Sequence, residues 1–121
     1  MIPGSGPPAG LKVLVATRPV DFRRGMDGLA RTVREDLKAD PYSGVVYVFR
    51  SKRSDRIKLL YWDGSGLVLY AKRLEQGGFR CPQITDGVMR MTAVQLQALL
   101  AGMEWMRVLA PRRTRAPQEV S

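Results

Sequence analysis

Along this chain, the spacing of apolar and polar positions switches between two periods. Leu11 to Thr17 (LKVLVAT) is a short, Val-rich apolar run, and it predicts a first strand. Pro19 punctuates the chain after it. Met26, Leu29, Ala30, Val33 and Leu37 then recur at helical spacing, with Arg31, Arg34, Glu35 and Lys38 largely on the opposite side, which predicts a helix from about Met26 to Lys38. Asp21 or Asp27 could cap this helix, and the pattern does not choose between them. Asp40-Pro41 and Ser43-Gly44 end it.

Three strands are predicted next, at Val45 to Arg50, Arg56 to Trp62 and Leu67 to Arg73. Ser51 to Asp55 joins the first pair, and Asp63-Gly64-Ser65-Gly66 makes a tight turn between the second and third, so the three form a meander. If Arg50 faces Arg56 across the first loop, Val45, Tyr47, Phe49, Ile57, Leu59 and Tyr61 share a core-facing side. Val46, Val48, Arg50, Arg56, Lys58, Leu60 and Trp62 then share the other, apolar at one end and cationic at the other. Beyond Gly77-Gly78, Phe79 to Pro82 reads as a short extended piece and Val88 to Met91 as a further strand. Thr92-Ala93-Val94-Gln95 has capping-box spacing and opens a helix through Leu96, Leu99 and Leu100 that stops near Gly102. The order predicts an α+β fold: a small, mainly antiparallel β-meander sheet with an N-terminal strand, one helix packed on it and a short C-terminal helix.

Length and composition divide the chain without changing that picture. Its 121 residues suit one domain plus ragged ends. Residues 1–10, rich in Pro, Gly and Ser, read as a flexible N-terminus, residues 11–105 as the domain, and residues 106–121, Arg107 among them, as a basic, disordered tail. No apolar stretch approaches membrane-span length, and Met1 to Gly10 lacks the basic and apolar regions of a signal peptide. The lone Cys81 has no internal disulfide partner. A soluble cytoplasmic domain without membrane contact is expected. Charge is the extreme feature: 20 Lys and Arg against 11 Asp and Glu give a formal +9, which points to a polyanionic partner.

The catalytic inventory is thin. The sequence contains no histidine, which removes the commonest general base and metal ligand, and it carries neither a P-loop nor a dinucleotide-binding glycine pattern. Asp21, Asp27, Asp55 and Asp63 could in principle form a nuclease-like metal cluster, but turn and cap roles account for each separately. No enzyme activity, catalytic residue, metal or cofactor is expected. The basic clusters are more informative. Arg23 and Arg24 flank the helix start, Arg50, Lys52, Arg53, Arg56 and Lys58 surround the first hairpin loop, and Lys72 and Arg73 close the third strand. Guanidinium forks match phosphate oxygens, and several together give salt-dependent binding through counterion release. Trp62 and Tyr70 are candidate base-stacking surfaces, with a core role the favoured reading of both. The tail arginines Arg112, Arg113 and Arg115 suit a phosphate-seeking arm or a solubilising tail equally.

Several ordered motifs resemble a known family. They are Asp21-Phe22-Arg23-Arg24-Gly25-Met26-Asp27-Gly28-Leu29, then Asp40-Pro41-Tyr42-Ser43-Gly44 running into Val48-Phe49-Arg50-Ser51-Lys52-Arg53. Asp55-Arg56-Ile57-Lys58-Leu59-Leu60-Tyr61-Trp62-Asp63-Gly64 and Lys72-Arg73-Leu74-Glu75 follow. Over about residues 11–105 the chain resembles the TnpB accessory proteins encoded by the second reading frame of IS-sixty-six-type insertion sequences, which are unrelated to the RNA-guided nuclease of the same name. The resemblance implies a part in transposition beside a separate transposase that carries the catalytic acidic residues. Cys81 stands where the family usually has tryptophan, and Glu104 where aspartate is common. Two functions compete: a DNA-binding accessory factor, or a protein adaptor that recruits or stabilises the transposase without touching nucleic acid. A metal-dependent nuclease ranks third. DNA and the element's transposase are the expected partners, and free sheet edges leave self-association open.

Overall fold

A computed structural model describes residues 12–79 and 88–104. The order is β1 (Val13–Ala16), α1 (Met26–Glu35), β2 (Val46–Arg50), β3 (Arg56–Trp62), β4 (Leu67–Arg73), β5 (Val88–Met91) and α2 (Ala93–Leu100). The strands form one five-stranded sheet in the order β4-β3-β2-β1-β5. The fold is α+β, as the pattern predicts. All neighbouring pairs are antiparallel except β1 and β2, which run parallel because α1 carries the chain from one to the other. The flexible N-terminus expected at residues 1–10, the basic tail expected at residues 106–121, and Cys81 with Pro82 lie outside the described residues.

Helices cover both faces of the sheet. On one face Leu29, Ala30 and Val33 of α1 pack with Ala16, Tyr47, Phe49 and Leu60. On the other, Leu96, Ala98 and Leu99 of α2 pack with Val13, Val15, Val46, Val48, Ile57, Leu59 and Met91. Val46 to Phe49 is therefore buried without interruption, which explains why β2 reads as a continuous apolar run rather than an alternating one. Thr92 and Gln95 form the expected capping box, each side chain bonded to the other's backbone N–H.

Three expectations are corrected. The β2–β3 register places Arg50 opposite Ile57, not Arg56, so Tyr47 and Phe49 share a face with Leu60 and Lys58. The cause lies in the loop: Ser51 pairs with Arg56, donating its N–H to the Arg56 carbonyl at 3.0 Å and accepting the Arg56 N–H on its Oγ at 3.2 Å, while Ser54 takes φ 61°. A slip of one residue exchanges the faces of a whole strand. Helix α1 also ends at Glu35, three residues short of Lys38, which turns the chain at φ 53°. Neither aspartate caps it: the N-cap is Gly25, without a side-chain bond, and Asp21 accepts from Arg23 instead.

Candidate nucleic-acid interface

The loop at residues 21–25, the β2–β3 hairpin and the ends of β3 and β4 bring the sequence-predicted cations to one end of the sheet, but their side chains have different fates. Lys58 stands on the α1 face of β3. Its Nζ donates to the carbonyls of Phe22 and Arg24, each at 2.9 Å, and lies 4.8 Å from the centre of the Phe22 ring. That ammonium fastens the Arg23-bearing loop to the sheet. Arg50 and Lys72 lie on the α2 face, in the same row as Ile57. Arg50 directs Nε (3.2 Å) and Nη2 (2.8 Å) to the buried Thr17 carbonyl, and Nη1 reaches Ser54 Oγ at 3.4 Å. Lys72 Nζ donates to the Leu100 carbonyl at 2.8 Å, satisfying the C-terminal end of α2.

Arg24 turns along α1. Its Nη1 donates to Thr32 Oγ1 at 2.5 Å, and Thr32 in turn donates to the Gly28 carbonyl at 3.0 Å. The arginine passes so close to the helix that a Cβ at Gly28 would meet Arg24 Cβ at 3.2 Å. The spacing 24, 28, 32 thus forms one stripe, in which a side chain at position 28 would push Arg24 aside by a few tenths of an ångström.

Three cations are left facing outward around a cleft or beside it. Arg56 and Arg73 are direct cross-strand partners on the α1 face. They line an open cleft of about 560 Å³ whose other walls include Phe22, Lys58, Ala71 and Glu75. Arg73 meets Glu75 at 3.4 Å, and both are exposed. Arg23, its side chain 91% exposed, forks onto Asp21 through Nε (3.1 Å) and Nη2 (2.8 Å). The side-chain and backbone hydrogen bonds from Arg23 hold the Asp21 carboxyl well below the usual carboxylate range. Lys52 and Arg53 are exposed at the hairpin tip, and Arg53 borders a separate depression with Gly77, Gly78 and Phe79.

The two aromatic candidates part company. Trp62 lies on the α1 face at the far end of β3 and meets Tyr42 edge-on, with ring centroids 5.8 Å apart. Tyr70 lies opposite Leu59 on the other face and packs on the core there. They offer no common stacking platform. The acids are likewise separate: Asp55 accepts from Ser51 Oγ, Asp63 accepts within its turn, and no group of three potential metal ligands occurs among the described residues. Phe22 and Glu75, which complete the cleft, belong to the family motifs but not to the cations and aromatics that the sequence offers as contacts. Nothing in local spacing marks Phe22, because Lys58 reaches it across 36 residues.

The model of the IS66 Orf2 like protein family matches residues 11–110. The chain belongs to that family. It is similar to protein y4jC of Sinorhizobium fredii, with 52% identity over 85% of this chain and 88% of the relative. It is also similar to y4hO of the same organism, with 36% identity over 91% of this chain and 93% of the relative. No solved structure matches it. As an IS66 Orf2-like protein, the chain is a transposition-associated accessory protein of an insertion sequence. Among its described residues no helix is long and apolar enough to cross a membrane.

Proposed function

We propose that this IS66 Orf2-like protein binds DNA beside the transposase of its element, in the cytoplasm, through the cationic end of the sheet. The observation that carries the reading is the juxtaposition of Arg56 and Arg73 on neighbouring strands. Like charges directly opposite in a sheet oppose folding, and an arrangement of this kind is explained by an anionic partner. Lys58 holds the loop with Arg23 next to them, and Lys52 and Arg53 extend the cationic surface to the hairpin tip. Arg24, Arg50 and Lys72 support this surface by holding backbone and helix in place rather than by touching the ligand.

Fluorescence anisotropy with a labelled duplex from the element's ends tests the reading. Binding should weaken steeply as salt rises, and Arg53→Glu and Arg56→Glu should each weaken it at fixed salt. Affinity that is indifferent to salt, or unchanged by both reversals, would sink it.

A second reading is favoured by Tyr42, which is 51% exposed and supported edge-on by Trp62. Exposed aromatics with a rigid backing suit a protein contact, and in this reading the chain is an adaptor for the transposase. Co-purification of the two proteins after nuclease treatment, lost on Tyr42→Ala, would support it; co-purification that disappears with the nucleic acid would not.

A further inference from the structure

We infer that the cleft between Arg56 and Arg73 is a seat for a single backbone phosphate of a nucleic-acid strand, and that Glu75 holds Arg73 as a carboxylate placeholder until that phosphate displaces it. The inference rests on the nucleic-acid reading above and sharpens it to one site and one internal competitor.

The argument is one of charge and supply. Arg56, Lys58, Lys72 and Arg73 bring four positive charges to the lining of the cleft and Glu75 brings one negative charge, which leaves an excess of three. The Lys72 ammonium is taken by the Leu100 carbonyl. Lys58 is already engaged, because its Nζ has two carbonyls and the Phe22 ring. It contributes field but no vacant donor geometry. The guanidinium forks are the donors left over. Arg56 has no ion pair within 4.0 Å among the described residues, and Arg73 has only the long, highly exposed contact to Glu75 at 3.4 Å. A phosphate offers several oxygens to two guanidinium groups at once, whereas the carboxylate meets only Arg73. Phosphate is therefore the better-matched anion for the pair.

The site also has the right surroundings for a strand rather than a free ion. Ala71 stands opposite Lys58 in the next row on the same face as the arginine pair, so β4 carries no bulk beside Arg73 to obstruct a chain passing over it. Phe22 adds an apolar wall against which a sugar can rest. Glu75 is two residues beyond Arg73, outside β4, and can swing away without disturbing the ladder.

Two measurements on the full chain test this and separate it from the broader reading. In the first, inorganic phosphate is titrated while arginine Nε–Hε resonances are followed by NMR. The Arg56 and Arg73 signals should shift together in saturable fashion, and Glu75→Gln should lower the phosphate concentration needed. Shifts that are absent at both, or no larger there than at Arg31 and Arg34 on α1, would overturn the seat. In the second, labelled single-stranded and duplex oligonucleotides are compared over a range of salt. Glu75→Gln should tighten binding about two- to fivefold, the size expected of one exposed charge contact. Arg56→Gln and Arg73→Gln should each reduce the slope of log affinity against log salt by about one. Wild-type binding with slopes unchanged in all three variants would overturn the seat while leaving DNA binding intact. A phosphate response without oligonucleotide binding would overturn the DNA reading and leave an anion site of another use. Binding of the single strand alone, or of the duplex alone, would identify which form supplies the phosphate.

Discussion

The ammonium of Lys58 lies 4.8 Å from the Phe22 ring centre and donates to that residue's carbonyl at 2.9 Å. One side chain thus holds both the ring and the backbone of the loop that precedes α1. Since the same Nζ also takes the Arg24 carbonyl, the loop is pinned on either side of Arg23. Lys58 acts as a buckle for the cationic end of the sheet rather than as a contact with its ligand.

Replacing Lys58 by methionine should therefore loosen the loop more than it reduces the charge seen by DNA. It keeps the apolar stem but removes two charge-assisted bonds from a half-buried site, which should cost about 1–3 kcal/mol of stability. Urea denaturation would read the loss, and hydrogen exchange at the Arg23 and Arg24 amides should quicken. The salt dependence of DNA binding should stay close to wild type. A variant of native stability whose salt slope falls by a full unit would show instead that Lys58 contacts phosphate directly.

Arg50 makes a comparable prediction on the opposite face. Its Nε and Nη2 both end on the Thr17 carbonyl, tying the end of β2 to the chain just past β1. Lysine cannot reproduce that fork. Arg50→Lys should destabilise the fold by about 1 kcal/mol and Arg50→Ala by about 1–3 kcal/mol, because the buried carbonyl loses its charged donor. Thermal melts of both variants would check the order. Equal stability of wild type and Arg50→Ala would return Arg50 to the pool of free cations.

These residues show where the sequence is legible and where it is not. Strands β3, β4 and β5 and the Thr92 capping box follow from local signals, since apolar runs, Asp-Gly turns and capping spacings each act within a few residues. The β2–β3 register does not, because it is set by which loop residues pair. Ser51 closes the hairpin with Ser54 in the left-handed region, and a serine there carries no mark of it in the sequence. For the site, sequence reveals that cations cluster but not which ones are spent. Arg50 meets Thr17 across 33 residues and Lys72 meets Leu100 across 28, so only the folded chain separates supports from outward-facing donors.

Lys38 offers a gain rather than a loss. It sits at φ 53° where α1 ends, with the Ala39 N–H returning to the Val33 carbonyl at 3.0 Å, and it is exposed. A non-glycine residue in the left-handed region costs about 1–2 kcal/mol, part of which glycine gives back through its greater freedom when unfolded. Lys38→Gly should therefore stabilise the protein by about 0.5–1 kcal/mol, raising the melting temperature by a few degrees. A melting temperature at or below wild type would mean that the Lys38 side chain makes a contribution that outweighs its backbone strain.

Asp63 ties stability to pH in the turn between β3 and β4. Its Oδ1 accepts the Ser65 N–H at 2.9 Å, the Gly66 N–H at 3.0 Å and the Ser65 hydroxyl at 3.0 Å. The backbone N–H groups of Ser65 and Gly66, and then the Ser65 hydroxyl, lower its pKa below the ordinary 3.8. Because the folded value lies beneath the unfolded one, the folded chain binds fewer protons in this range. The turn's contribution is then complete above 3.8 and is lost as pH falls through the folded value. An NMR titration from about pH 6 to about pH 2 should show the Ser65 and Gly66 amides moving together at the acid end. Asp63→Asn keeps an acceptor oxygen but cannot titrate, so it should retain the turn and abolish that step. If the step persists in Asp63→Asn, another carboxylate governs this end of the sheet.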